Sequence, residues 1–188
     1  MEAILTQHQR LDVLVNNAGV YFVKPIAQTT LDEWRRVLGV NLDGVFLGTK
    51  HAIGVMRSRG GGSIINVASV VGINAFPEAS AQGASKAAVR LFSKVAAIEC
   101  ADARTGIRVN VVTPGGVKTP MWESMDFFQE LAAKHGGKEQ AFAAMAGTSA
   151  SNQFSSPEDI ARTILYLASD DSVHLTGVEL VISHGHVG

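Results

Sequence analysis

Four short apolar runs rich in β-branched residues recur along the chain, at 11–15, 63–68, 107–112 and 178–182, with stretches of helical period between them. No other feature limits the possible folds as sharply as that alternation. A run that is apolar at consecutive positions, and not only at every second one, fits a strand covered on both faces. Strands alternating with helices form a mostly parallel sheet joined by right-handed crossovers, with helices on both faces. The reading is therefore α/β: a partial doubly wound sheet of about four strands. With no internal repeat, low-complexity tract or linker, residues 1–188 are read as a single domain.

The helical stretches carry their own start and stop signals. Residues 1–9 read as the last turns of a helix leading into the first strand. Thr30 with Glu33 three positions later has capping-box spacing. From Trp34, Val37 and Leu38 to Ala52, Ile53 and Met56, apolar residues recur at helical intervals, as one long helix or two in succession. Gly60-Gly61-Gly62 stops that pattern. The stretch 79–97 reads as the next helix, and Pro120 after Thr119 as a first helical position. The segment 121–147 is a helical excursion interrupted at Gly136-Gly137, the pattern of a mobile flap over a pocket. Ser156-Pro157-Glu158-Asp159 opens the last helix.

One juxtaposition points to chemistry. Ser69 ends the second strand run, and Gln82 and Lys86 stand four residues apart on the helix that follows. Residues so spaced share one helix face. All three can then converge at the carboxyl edge of the sheet, where open α/β sheets bind ligands.

Composition removes several function classes. A net charge of -1 with 18% charged residues gives no electrostatic case for nucleic acid or an anionic membrane surface. No apolar run nears the roughly 18 residues of a membrane span, and the first ten residues do not resemble a secretory signal. A single cysteine, Cys100, rules out an intrachain disulfide and suits a reducing, cytoplasmic setting. It falls in an apolar-periodic helix and reads as a packed thiol. His184 and His186 can pair on a metal only with a third ligand, so no metal site is assigned.

Taken together, six segments resemble the short-chain dehydrogenase/reductase family over nearly all of the chain. They are Asn16-Asn17-Ala18-Gly19; Asn41 within Val40-Asn41-Leu42-Asp43-Gly44; Ser69 after Ile64-Ile65-Asn66-Val67-Ala68; Ala84-Ser85-Lys86-Ala87-Ala88-Val89; Pro114-Gly115 with Thr119; and Leu165-Tyr166-Leu167-Ala168-Ser169-Asp170. The resemblance implies a Rossmann-like domain, of which this chain matches the C-terminal two-thirds. It also implies an NAD(P) cofactor and a catalytic asparagine, serine, tyrosine and lysine, placing Asn41, Ser69 and Lys86 at three of those positions. On the cofactor side it implies Asn17, Gly19, Lys86, Pro114, Gly115, Val117 and Thr119. Relatives commonly form dimers and tetramers through the two long helices, here around 42–56 and 79–97.

Two departures matter more than the matches. The position of the family's tyrosine is occupied by Gln82. A phenol with a free pKa near 10 can be lowered by an adjacent ammonium until it transfers protons near neutrality, whereas a carboxamide has no such pKa. Losing a positioned acid–base group costs about 10²–10⁴-fold in rate. The chain's two tyrosines, Tyr21 and Tyr166, are not expected at the site. The sequence also shows no glycine-rich turn between a strand and a helix to hold a pyrophosphate. Weak or absent cofactor binding is the expectation, as for a truncated relative lacking the N-terminal dinucleotide-binding half.

Without a preceding partner, the run at 11–15 is expected to form a sheet edge that invites pairing with another chain. A homo-oligomer is expected, through that edge or through the two long helices. Three functions compete: an NAD(P)-dependent oxidoreductase of a secondary alcohol or ketone such as a hydroxysteroid; a degenerate relative acting as an oligomeric scaffold; and a small-molecule binder under the 121–145 flap. The reading favoured is a dehydrogenase-like pseudoenzyme with little or no activity.

Overall fold

The computed structural model describes residues 2–147 and 151–185. Four strands, β1 (Val13–Asn16), β2 (Gly62–Val67), β3 (Ile107–Pro114) and β4 (Glu179–Ile182), form one sheet in that order. Every neighbouring pair is parallel, as the alternation demands.

Side chains alternate across the sheet and sort the core into two layers. On β2 and β3, Ile64, Val109 and Val111 face helices α3 (Gly44–Arg57) and α4 (Ser80–Asp102), packing against Ala52, Met56, Val89 and Ala96. Ile65 and Val112 point the other way, onto Ile160 and Leu167 of α8 (Pro157–Ala168). Both layers are dry, which is why the runs are apolar on consecutive positions. The polar exceptions are paired. Asn16 donates to Asn66 at 2.8 Å, Asn66 donates to Ser93 at 2.8 Å, and Ser93 donates to the Val89 carbonyl at 2.7 Å. Across the other face, Ser63 donates to the Leu167 carbonyl at 2.7 Å. Buried polar groups joined in this way fix strand register as well as satisfying themselves.

The first strand begins at Val13 and not at residue 11. It lies at the sheet edge, as expected, with Val13 and Val15 each 38% exposed. An apolar run suited to burial on both faces has here only β2 beside it. A short helix α1 (Glu2–His8) precedes it, as the opening residues indicate.

Between β1 and β2, Thr30 and Glu33 form the reciprocal capping box at the start of α2 (Leu31–Leu38). The long helical stretch is then neither one regular helix nor two separate ones. A π-helical turn, Gly39–Asp43, links α2 to α3 without a break. A π turn widens the helix locally and is frequent at functional sites. Here it carries Asn41, which is fully buried.

The excursion after β3 folds as three short helices, α5 (Pro120–Glu123), α6 (Asp126–His135) and α7 (Lys138–Ala146). Gly136 ends α6 in the left-handed region at φ 86°, the glycine stop that the sequence signals. Phe128 and Phe142 stack at 4.7 Å between ring centroids and give this layer its own small core. At the far end of the chain, Ser156 and Asp159 form a second capping box, with Pro157 in the first turn of α8.

A close approach locks the loop after β2 onto α4. The turn Val70–Gly72 sits so near α4 that a Cβ on Gly72 would fall 2.7 Å from both the Ala87 nitrogen and the Lys86 carbonyl carbon. Arg90 reinforces the contact by donating to the Gly72 carbonyl at 2.7 Å while pairing with Glu179 of β4. Because backbone atoms of a helix cannot move aside, Gly72→Ala is expected to destabilise by about 1–3 kcal/mol in denaturant unfolding. Gly54→Ala, where no atom lies within 4 Å of the added carbon, is the neutral-to-stabilising control.

Candidate functional site

At the carboxyl ends of the strands, a cavity of about 830 Å³ opens between the sheet edge, α4, α8 and the α5–α7 excursion. Asn17, Gly19, Ser69, Gln82, Lys86, Pro114, Gly115, Val117 and Thr119 all line it. The structure thus brings together every residue named from sequence except Asn41.

Among the described residues, Lys86 is the only charged side chain in that lining. It is 5% exposed, and its Nζ donates to the Val67 carbonyl at 2.7 Å. That carbonyl is available because β1 pairs with β2 only as far as Asn66, while the Ala68 amide already bonds to β3 through Val112. No carboxylate offsets the burial, which pushes the ammonium down to about 8.

Gln82 stands one turn before Lys86 in the cavity wall, and its Oε1 is buried without a hydrogen-bond partner among the described residues. A buried orphan acceptor is costly, and a hydroxyl at this position would tolerate the same surroundings while also donating. Ser69, at the end of β2, accepts from the Val71 amide at 3.4 Å, and that contact shapes its turn. Its hydroxyl proton remains available to the cavity.

Asn41 sits behind the cavity and not in its wall. Its Oδ1 accepts from the Val20 amide at 2.8 Å, and its Nδ2 donates to the Val20 carbonyl at 3.0 Å and to Ser85 Oγ at 3.2 Å. Ser85 in turn donates to the Gln82 carbonyl at 2.8 Å. The carboxamide therefore clamps the loop after β1 to the first turns of α4. It fixes where Gly19, Tyr21, Gln82 and Lys86 stand relative to one another.

Tyr21 corrects the sequence reading, which excluded it. The phenol lines the same cavity as Ser69, Gln82 and Lys86, with its ring edge-on to Trp122 at 6.3 Å. The nearest signal in sequence was its position two residues after Gly19, but loop direction is not encoded in periodicity. Burial, and secondarily the Glu78 carboxylate, raise its pKa above the usual phenol value, so it stays a protonated phenol near neutrality. Tyr166 does stay away, 40% exposed on α8. Trp122, Met145, Phe154 and Ile164 complete an apolar wall that sequence reasoning left unspecified.

Other expectations resolve simply. Cys100 is buried in the α3–α4 core layer, and burial raises its thiol pKa. Thr119 precedes α5 with Pro120 in the first turn, although its side chain makes no capping bond. Among the described residues no three metal-ligating side chains gather, and His186 lies outside those residues. No helix among them is long and apolar enough to cross a membrane.

Lys86 is the group in the described lining that could hold a dinucleotide ribose. At Gly19 an added Cβ would already touch Asn41 Oδ1 at 3.4 Å and Lys86 Nζ at 3.7 Å, so the loop backbone lies close to the amine. The rest of the described lining holds no arginine and no second cation for a pyrophosphate.

Sequence comparison places this geometry in a family. The family model described as Enoyl-(Acyl carrier protein) reductase matches residues 1–186. The chain belongs to that family, among the short-chain dehydrogenases/reductases. It is 41% identical over 174 residues to the NADP-dependent (R)-specific alcohol dehydrogenase of Lentilactobacillus kefiri, covering 92% of this chain and 65% of the relative. Against the cyclopentanol dehydrogenase of Comamonas testosteroni it is 39% identical over 186 residues, 99% of this chain and 70% of that one. Against the 3-alpha-(or 20-beta)-hydroxysteroid dehydrogenase of Mycobacterium tuberculosis it is 37% identical over 189 residues, 100% of this chain and 65% of the relative. The chain thus spans 65–70% of the length of these relatives.

The buried amine gives stability a defined pH dependence. The unfolded chain keeps the Lys86 proton up to 10.5 while the folded chain releases it near 8, so between those values the unfolded state binds more protons and stability rises with pH. Across that window the gain is expected to be on the order of 3 kcal/mol. Urea unfolding of wild type against Lys86→Met, from pH 7 to 10, should show this slope in the wild type alone.

Proposed function

We propose that this chain is a short-chain dehydrogenase-like protein of the secondary-alcohol type. Its cavity accepts an alcohol or ketone, but its proton-transfer step is missing, leaving oxidoreductase activity absent or very weak. The observation that carries this reading is Gln82, which lines the cavity with Ser69 one turn before Lys86. A carboxamide can orient an alcohol oxygen but cannot take its proton, and Tyr21, with its raised pKa, is no substitute base. The names of the relatives support the substrate class: an alcohol dehydrogenase, a cyclopentanol dehydrogenase and a hydroxysteroid dehydrogenase. The wide apolar wall of Trp122, Phe154 and Ile164 suits such ligands.

NAD or NADP is the cofactor that family membership brings, and when bound it would supply or accept the hydride. Lys86 would hold its ribose, with Asn17 and Gly19 near the adenosine ribose end. Pro114, Gly115, Val117 and Thr119 would lie near the nicotinamide carboxamide. Asn41 acts as a positioning residue behind them, and Ser69 as the donor to the substrate oxygen. With no second cation among the described lining residues, dinucleotide affinity is expected to be weak.

Titration with NAD(H) and NADP(H), followed by turnover of cyclopentanol, tests the reading. Binding weaker than micromolar and a rate equal to that of Lys86→Ala are expected. Micromolar binding with turnover above that control establishes an active oxidoreductase instead.

The same reading includes self-association. Leu91, Val95 and Ile98 form an apolar stripe on α4, with Leu91 67% and Ile98 61% exposed, and Phe46 and Leu47 of α3 are also exposed. Covering this stripe with a second copy removes it from water, at about 25 cal/mol per Å² of apolar surface. Light scattering is expected to report a dimer or larger species that Leu91→Glu with Ile98→Glu converts to monomer. If the double variant keeps the oligomer, pairing through the β1 edge replaces this surface as the proposed contact.

A further inference from the structure

We propose that Lys86 is a nucleophile that captures aldehydes and small ketones entering the cavity as a reversible imine, an activity separate from hydride transfer. The inference shares with the preceding reading only the premise that carbonyl compounds enter the cavity.

Three features of the amine's surroundings support it. Lys86 is 5% exposed yet lines an 830 Å³ cavity, so it is shielded from bulk water while open to a ligand. It spends one donor on the Val67 carbonyl, and no carboxylate pairs with it, leaving two of its three directions unengaged among the described residues. Gly19 presents no side chain toward it, and an added Cβ would stand in contact at 3.7 Å from Nζ, so glycine leaves that side of the amine uncovered. A desolvated lysine in an apolar pocket is the usual way a protein makes an amine nucleophilic. Burial supports the same conclusion: with the amine pushed down to about 8, roughly a tenth of it is neutral at pH 7. A phenol at position 82 would compete as a proton donor to the amine, and the neutral carboxamide of Gln82 does not.

The chemistry closes without an oxidant or reductant. The Nζ lone pair attacks the carbonyl carbon, a C–N bond forms, and the π pair moves onto oxygen. One proton passes from nitrogen to that oxygen, giving a carbinolamine. The C–O bond then breaks, the second N–H proton leaves with the oxygen, and water departs from a C=N double bond. Ser69 and Gln82, in the same wall, can hydrogen-bond the oxygen as it leaves.

Borohydride trapping tests this on the whole chain without nicotinamide. Hexanal or cyclopentanone is added, then sodium borohydride, and the product is read by intact mass and peptide mapping. One adduct per chain is expected, with the mass of the carbonyl compound less one oxygen, on the Lys86 peptide. It should exceed adducts at Lys94 or Lys134 by about tenfold or more. Its yield should rise with a midpoint near pH 8, and the preference should vanish in urea and in Lys86→Arg. No adduct, or equal labelling of surface lysines, overturns the proposal. Quenching of Trp122 by the carbonyl compound separates the two readings. Quenching without an adduct overturns the imine and leaves the cavity as a carbonyl site, whereas neither signal overturns both. An adduct together with cofactor-dependent turnover keeps the imine and overturns the silent redox site.

Discussion

The contact between the Lys86 ammonium and the Val67 carbonyl, 2.7 Å long, is the one on which the organisation of the site rests. It joins the last residue of β2 to the first turns of α4, across the point where β1 stops pairing. Without it a strand carbonyl would lack its partner, and the charged end of a lysine would lie in an apolar cavity with nothing to hold it. The sheet gives the amine its position and the surrounding apolar wall withholds water from it. Its altered proton affinity is a direct consequence of both.

A second set of bonds keeps that arrangement in place. The Asn41 clamp on Val20, passed through Ser85 to the Gln82 carbonyl, ties the loop after β1 to the same turns of α4. Arg90 and Gly72 hold the loop after β2 against α4 from the other side. Two loops and one helix are therefore fixed by backbone-directed hydrogen bonds behind the cavity wall. The position of greatest chemical interest, Gln82, is also one whose buried side-chain oxygen has no partner among the described residues.

Much of the fold was legible in the residues because two-sided burial leaves a strong trace. The runs at 63–68 and 107–112 are apolar on consecutive positions since Ile64 and Ile65, or Val111 and Val112, enter different core layers. The Thr30–Glu33 capping box, the helix start at Ser156 and the Gly136 stop were equally plain. The edge exposure of Val13 and Val15 was inferred from strand order, not from the run itself, which reads as buried. The apolar pattern around Gly39–Asp43 reads as one long helix or two, and the extra residue of the π turn between them has no propensity signal of its own. The positions along the strand ends were readable from motif order. Tyr21 was missed, since its inward course depends on the hydrogen bonds Asn41 makes to the residue before it, a contact between segments 21 residues apart.

That π turn bears on which sequence changes the architecture can absorb. Such a turn accommodates an extra residue without rotating the helices on either side. Deleting a single residue within Gly39–Asp43 would restore regular pitch and leave Val45, Thr49, Ala52 and Met56 facing the sheet. The hydrophobic layers would survive, but the carboxamide that reaches Val20 would be drawn back into the helix. A length change too small to disturb folding would thus unfasten the wall of the ligand chamber, leaving a stable scaffold with an unformed mouth.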